Sequence, residues 1–492
     1  MDIAIILVYL AAMLAFGWWG KTRTKDTADF LVAGRRLGPV LYTGTMSALV
    51  LGGASTVGGV GLGYTYGLSG MWLVVAIAVG VLLLSAAFAG RIQRLKVYTV
   101  AQMLKLRYGS GATGASSLVM VAYTLMLSVT STIAYATVLN VLFGTGRTTS
   151  IIIGGAVVMT YSAIGGMWSI TITDMVQFVI QTVGIFFLLL PFTWSHAGGL
   201  DGIRERAAST AFDLTAIGTD TIITLFVIYT FGMLIGQDIW QRVFTARSPE
   251  VARWGGTASG VYCLLYGVAG ALIGTAASTF VSTENSDDVY AQVAEGILPA
   301  GIAGIVLAAA VAAMMSTASG ALIATATVAR NDVAPMASRL LGRPVAVEAA
   351  EGTDPGHDVH SNRMYVVVLG IAVIALASML DDVVAALTIA YDILVGGLLV
   401  AILGGFLWKR ATAAGALWSM ATGTAVTLGT MAAVGDVLAN EPIYYGLAAS
   451  AISFVVASLL TRPTDPAVMA EWTSRLGEAP AEEPAPVAAP TH

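Results

Sequence analysis

The chain has 492 residues, 57% of them apolar and only 11% charged, where a soluble domain carries about 25% charge. At a mean hydropathy of +0.81 there is too little charge to cover a water-facing surface. The composition therefore predicts a polytopic helical membrane protein in a lipid bilayer, not a string of soluble domains. A single cysteine, Cys263, excludes an intramolecular disulfide and any CxxC metal or redox site, and the net charge of −5 gives no reason to expect a nucleic-acid partner.

At roughly 20 apolar residues per crossing, thirteen spans are predicted in chain order: 2–19, 39–64, 70–90, 113–144, 148–167, 170–194, 219–243, 255–281, 297–330, 363–380, 384–408, 412–434 and 442–461. The first begins Met1-Asp2 with neither a basic stretch nor a small-residue cleavage site, and reads as an anchor. Basic loops stay cytoplasmic. With the N-terminus outside and the C-terminus inside, only Arg147, Arg204 and Arg206 of the 24 basic residues fall on the outer side of the cell membrane, and none falls mid-span. Residues 1–461 form one transmembrane domain in this reading. The Ala/Glu/Pro-rich tail, 462–492, is expected to be disordered and cytoplasmic, and no soluble domain or obligate protein partner is evident.

His196, His357, His360 and His492 all lie outside the apolar spans, so neither a histidine-held metal nor a nucleophile–base pair is expected in the membrane, and no enzyme is predicted. The spacing of His357 and His360 would suit a metal, but Pro355, Gly356 and the acidic run around them read as a solvated loop over 331–362.

The second span contains Leu51-Gly-Gly-Ala-Ser-Thr-Val-Gly-Gly-Val-Gly-Leu-Gly63, six glycines in thirteen residues. Such a run is a poor continuous helix and a good place for unwound backbone, which a bilayer tolerates only where it lines a cavity. Close packing of helices through small residues is the competing explanation. A dinucleotide loop is not, because no strand and no βαβ unit accompany it. Five spans later, in Phe231-Gly-Met-Leu-Ile-Gly-Gln-Asp-Ile-Trp-Gln-Arg242, glycines precede a polar stretch that would be costly facing lipid. Paired interruptions at corresponding positions of two five-span halves point to a secondary transporter with inverted repeats.

In the ninth span Ala313, Ser316 and Thr317 stand at i, i+3 and i+4 and share one helical face. A carbonyl and two hydroxyls there, joined by carbonyls of the unwound second span, would form a cage of neutral oxygens suited to a small monovalent cation. The alternative is that the two hydroxyls simply bond back to the preceding turn of their own helix. Three acids, Asp174, Asp238 and Asp392, fall within apolar spans, where each must line water, pair with a cation or be protonated. For Asp238, near the cytoplasmic end of its span, reaching out to water is the competing reading. Asp392, with Tyr391 and Gln237, is expected to face a solute cavity, together with Ser55, Thr56 and Asp238.

Five stretches taken in order resemble the sodium:solute symporter family over roughly residues 3–460. They are Asp29–Gly38, the run Gly53-Ala-Ser-Thr-Val-Gly58, Gly165–Gln177, Gly236–Arg242, and Leu298-Pro299 followed by Met315-Ser-Thr317. The resemblance implies a thirteen-helix protein with a leucine-transporter-type core of 5+5 inverted repeats, spans 2–6 and 7–11, at about 39–194 and 219–408. It also implies a sodium ion held by the carbonyls of Ala54, Val57 and Ala313 and the hydroxyls of Ser316 and Thr317. Asp174 matches a family aspartate associated with the sodium exit route or with a second sodium ion. Thr56 and Val60 stand where proline symporters carry aspartate and tryptophan, so proline is not supported as the solute.

The expected function is sodium-coupled import of a small organic solute by alternating access, with Na+ as the coupling ion and no cofactor. The intramembrane acids favour an amino acid or amine. A monocarboxylate comes next, since helix N-termini beside an unwound segment can bind an anion. A proton-coupled symporter with Asp174 or Asp392 as carrier, and a sensor on the same scaffold, are the alternatives. No repeated pore loop suggests a channel.

Overall fold

The computed structural model describes residues 2–109, 113–342, 355–380, 383–435 and 439–477. Among the described residues the chain is helical throughout, apart from turns and one isolated parallel bridge between Leu37 and Ala246. Continuous apolar composition has this consequence in a bilayer, because a helix satisfies every backbone donor within itself.

Helix α1 spans Asp2–Lys21. Helix α2, Pro39–Val50, starts with proline in its first turn and stops at Leu51 (φ −92°, ψ 64°). Beyond Gly52 the backbone resumes as a π-helical turn, Ala54–Gly58, and continues as α3, Gly59–Tyr66. The chain then turns sharply at Gly67 (φ +63°), where a β-carbon would lie 2.3 Å from the Ala211 carbonyl oxygen. Helix α4, Trp72–Leu83, runs on through a second π turn to Arg94. Helices α5, Val100–Tyr108, α6, Thr113–Phe143, and α7, Arg147–Thr182, follow, the last extending through a π turn to His196.

The next span is bent by 44° at Gly236, between α8, Thr219–Ile235, and α9, Gln237–Thr245. After it come α10, Pro249–Ala277, α11, Ile302–Val328, α12, Pro355–Met379, α13, Val383–Leu407, α14, Ala413–Val434, and α15, Glu441–Leu460. Helix α11 is the centre of the bundle: every residue from Val306 to Val328 is buried, and it packs on both α6 and α7.

Ten described helices are long and apolar enough to cross a membrane, or eleven with the bent pair counted as one span. The expectation of thirteen differs because two of the ten run on past a sharp glycine. One extends over 50 residues, Arg147–His196. At 1.5 Å per residue it would measure about 75 Å if straight, more than twice the hydrocarbon thickness. Gly166 breaks it (φ 56°, ψ −138°), at a place where a β-carbon would meet the Phe30 carbonyl oxygen at 2.5 Å.

The tail expected to be disordered over 462–492 is partly ordered. Pro466–Leu476 forms helix α16, capped by the Asp465 side chain and closed by Gly477 in the left-handed region. Its Trp472 and Leu476, four residues apart, are buried against the bundle. Trp472 stacks edge-on to Phe406, and Arg94 donates to the Leu476 carbonyl at 3.1 Å. Residues 478–492 lie outside the described residues, as do 343–354 of the acidic loop and the His357 side chain.

Candidate functional site

The break after α2 lies against the turn of α11 that carries Ser316 and Thr317. A β-carbon at Gly52 would come within 2.5 Å of Thr317 Oγ1, and one at Gly53 within 3.3 Å of Met314 Cγ. Only glycine lets the unwound strand approach α11 so closely. Thr317 Oγ1 donates to the Leu49 carbonyl at 2.7 Å, tying α11 to the last turn of α2, and makes a longer bond of 3.4 Å to the Ala313 carbonyl. Ser316 Oγ donates to Asp174 Oδ1 at 2.7 Å. The hydroxyls do more than bond back to the preceding turn: each holds a second element in place. Each hydroxyl oxygen also keeps lone pairs after donating, so the donor set fits a small hard cation, with Ala54 and Val57 half-buried in the π turn beside it.

Asp174 is not a free carboxylate. Arg242, at the end of α9, donates from Nη2 to Asp174 Oδ2 at 2.9 Å, and Thr45 donates to the same oxygen. The arginine side chain is 1% exposed and the aspartate 0%. No basic residue is expected mid-span, and Arg242 does lie at the end of its predicted span; counted there as cytoplasmic, it instead points its side chain into the bundle. Arg107 on α5, assigned to a cytoplasmic loop, is likewise buried, holding the carbonyls of Gly405 and Trp408 at 2.9 and 3.0 Å. The guanidinium of Arg242 thus gives Asp174 a buried positive partner.

The other predicted residues do not form one cluster. Ser55 and Thr56 are buried in the π turn, and the Thr56 hydroxyl is 2.9 Å from that of Tyr266. Gln237 is occupied elsewhere: its carboxamide accepts from Val100 N at 2.8 Å and donates to the Tyr98 carbonyl at 3.0 Å, which fixes the start of α5. Asp238 sits in the first turn of α9, where the helix restarts after Gly236, and accepts from Tyr123 Oη at 3.2 Å. A carboxylate is stabilised at a helix N-terminus by the unpaired N–H groups and the dipole. Tyr391 packs edge-on to Tyr123 and tilted against Tyr229, both with centroids 5.2 Å apart. Asp392, the next residue on the helix, projects about 100° from Tyr391; it is within electrostatic reach of Tyr229 but has no hydrogen-bond partner among the described residues. Sequence reasoning missed Tyr123, Tyr229 and Thr45, which carry no local motif and become visible only once α6, α8 and α2 are packed.

The model of the sodium:solute symporter family matches residues 30–423. The chain is 24% identical over 292 residues to the high-affinity choline transporter 1 of Caenorhabditis elegans, a match that covers 56% of this chain and 50% of that protein. It is 28% identical over 250 residues to the human sodium-coupled monocarboxylate transporter 2, covering 47% of this chain and 39% of that one. To the osmoregulated proline transporter OpuE of Bacillus subtilis it is 25% identical over 213 residues, covering 41% and 43%. The chain thus spans half or less of the length of these relatives. Among solved structures, a Na+-coupled sialic acid symporter in a substrate-bound outward-open state superposes with a TM-score of 0.80 at 18% identity, over 94% of this chain and 98% of that one. A nucleobase-cation-symport-1 family transporter with bromovinylhydantoin bound gives 0.58 at 14% identity, over 91% and 98%. At these identities the likeness is one of fold, the leucine-transporter type. A chain matched by one family model across four-fifths of its length, on the fold of sodium symporters, belongs to the sodium:solute symporter family.

Proposed function

We propose that this chain is a sodium-coupled symporter that imports a small organic solute by alternating access. The observation that carries the reading is the contact of the helix break at Leu51–Gly52 with the Ser316–Thr317 turn, where backbone carbonyls and hydroxyl oxygens meet inside the bundle. In this reading Na+ is held by the carbonyls of Ala54, Val57 and Ala313 and the hydroxyls of Ser316 and Thr317. A monovalent ion in neutral oxygens needs no further carboxylate, which agrees with Asp174 being neutralised by Arg242. The chain crosses the cell membrane thirteen times, N-terminus out and C-terminus in. The sharp glycines Gly67 and Gly166 divide the two longest helices, and the inverted repeats lie at about 39–194 and 219–408.

The solute is an amino acid or amine in this reading, with a monocarboxylate next. Asp238 and the ring faces of Tyr123 and Tyr391 offer a carboxylate and π-faces to an ammonium group, while Ser55 and Thr56 belong to the π turn by Tyr266. Arg242, the cation nearest the broken helices, is already spent on Asp174. Gln237 and Asp392 are left out of the solute site, the first because both ends of its amide are bonded to backbone, the second because it makes no hydrogen bond to Tyr123, Tyr229 or Tyr391.

Uptake into proteoliposomes under imposed sodium or proton gradients, across a panel of amino acids, amines and monocarboxylates, tests ion and solute together. Sodium-driven uptake of an amine is expected. Ser316→Ala with Thr317→Ala is expected to raise the sodium concentration for half-maximal uptake about a hundredfold, the worth of two lost oxygen contacts to a charged group at about 1.5 kcal/mol each. Unchanged sodium dependence in that double variant would remove the ion from this turn.

A further inference from the structure

Asp392 lies in α13 and is fully buried, yet neither of its carboxylate oxygens has a hydrogen-bond partner among the described residues. The other two intramembrane acids are provided for: Asp174 by Arg242, Thr45 and Ser316, and Asp238 by Tyr123 and its helix N-terminus. The hydroxyls of Thr424 and Thr427 on α14 are buried and unpartnered too. They belong to the same seam. Gly396 follows Asp392 by one helical turn on the same face, and a β-carbon there would lie 2.4 Å from Thr427 Oγ1. A β-carbon at Gly397 would lie 2.5 Å from Thr424 Oγ1. The glycines of α13 thus admit two hydroxyls of α14 into the seam one turn beyond the carboxylate, and none of the three groups has a hydrogen-bond partner among the described residues.

We propose that Asp392 holds a monovalent cation, a proton or a sodium ion, in the seam between α13 and α14, one helical turn from the place where Thr427 meets Gly396 and separate from the Ser316–Thr317 turn. An ionised carboxylate without donors inside a membrane protein costs several kcal/mol, so in this packed state its charge is cancelled by something other than a side chain. The titratable groups on the helices packed against α13 do not supply the cancellation. Tyr229 on α8 is within electrostatic reach and brings no positive charge. Tyr123 and Tyr135 on α6 are bonded to Asp238 and Thr132. Helix α14 carries no titratable residue, and on α15 Tyr444 is bonded to Thr224 while Glu441 and Tyr445 face outward. Arg107 and Tyr108 of α5 meet α13 only at its other end, at Gly405 and Ala401, and Lys105 is exposed. The seam joins the core of the bundle to α14 and α15. An ion released or taken up there would accompany any movement of α13 against those helices, and so enter the transport cycle.

The proposal does not rest on sodium coupling at Ser316 and Thr317, and the test keeps the two apart. Purified protein in proteoliposomes is assayed for uptake at saturating sodium between roughly pH 5 and pH 9, and for the steepness of its sodium dependence at fixed pH. If the cation is a proton, wild-type uptake varies with pH and Asp392→Asn, which mimics the neutral acid, transports with a flat pH profile and an unaltered sodium half-saturation. If it is sodium, the wild-type sodium curve is cooperative. In that case Asp392→Asn makes it hyperbolic with a half-saturation raised about tenfold, the worth of one charge-assisted contact. Thr427→Val, which removes only a hydroxyl, moves the same quantity in the same direction by a smaller factor and serves if Asp392→Asn does not fold. Wild-type uptake that is independent of pH and hyperbolic in sodium overturns the proposal without any variant, as does an Asp392→Asn protein identical to wild type in both profiles. Either result leaves the Ser316–Thr317 assignment standing, and loss of sodium dependence in the Ser316/Thr317 variant leaves this one standing.

Discussion

Replacing Arg242 by Gln isolates the worth of the buried ion pair that ties α9 to α7. The pair is 1% and 0% exposed with its closest atoms 2.9 Å apart. Asp174 would keep only the hydroxyls of Thr45 and Ser316 as donors. Removing one partner of a buried pair costs about 3–5 kcal/mol, because the remaining charge stays buried. The glutamine amide still offers one N–H, so a loss near about 3 kcal/mol is expected, roughly two decades in the unfolding equilibrium. The assay is unfolding of the purified protein in mixed micelles, with sodium and with potassium. Two further outcomes follow from the same geometry. Asp174→Asn combined with Arg242→Gln restores a neutral hydrogen-bonded pair and recovers at least half of the loss. Sodium stabilises Arg242→Gln more than wild type, since the freed carboxylate next to Ser316 then accepts a counter-ion. An Arg242→Gln protein within about 0.5 kcal/mol of wild type, with the double variant no different, would refute the claim that this pair is a desolvated, paired charge.

Gly52→Ala places a methyl 2.5 Å from Thr317 Oγ1, so it is expected to push the unwound strand off α11 and abolish uptake while leaving the protein folded; wild-type uptake by this variant would show that the approach is not needed. Trp472→Ala removes the ring that rests on Phe406 and is expected to release α16, exposing the 461–466 linker to limited proteolysis with little change in global unfolding, since α16 packs at one end of the bundle, against α5 and the end of α4. Gly166→Ala is expected to be poorly tolerated: the positive φ disfavours any β-carbon by about 1–2 kcal/mol, and the Phe30 carbonyl blocks the space at 2.5 Å. Expression of folded protein measures that loss.

Much of this architecture is legible in the sequence because a bilayer leaves few options: apolar stretches must be helices, and a glycine-rich interruption with hydroxyls must line something polar. The glycine run at 51–63 and the Ser316–Thr317 turn are visible for that reason, and they meet in the structure. Arg242 is not visible. It closes an apolar run exactly where a cytoplasmic arginine would, and nothing local tells that its guanidinium folds back onto an aspartate 68 residues earlier. Gln237 misleads in the opposite sense. A glutamine at a helix break looks like a ligand-binding group, and only the tertiary fold reveals that it is spent on the backbone of Tyr98 and Val100. Helix α16 is hidden by composition: a proline-, alanine- and glutamate-rich tail averages out the i, i+4 pair Trp472 and Leu476 that docks it.

The hydrogen bonds at the Ser316–Thr317 turn also bear on how an ion could control the broken helix. Thr317 is bonded to Leu49 at the end of α2, and Ser316 to Asp174, which is bonded in turn to Thr45 in the middle of α2 and to Arg242 at the end of α9. One turn of α11 therefore holds both broken spans, α2–α3 directly and α8–α9 through the ion pair. An ion that takes the free lone pairs of these hydroxyls favours the arrangement in which both contacts are made. By reciprocity, whatever loosens either contact lowers the affinity for the ion by the same factor. A continuous helix through Leu51 and Gly52 would offer no such leverage, because its carbonyls would already be paired and the ion would bind both arrangements alike. The glycine break is thus what makes differential binding available, and differential binding is the whole of coupling.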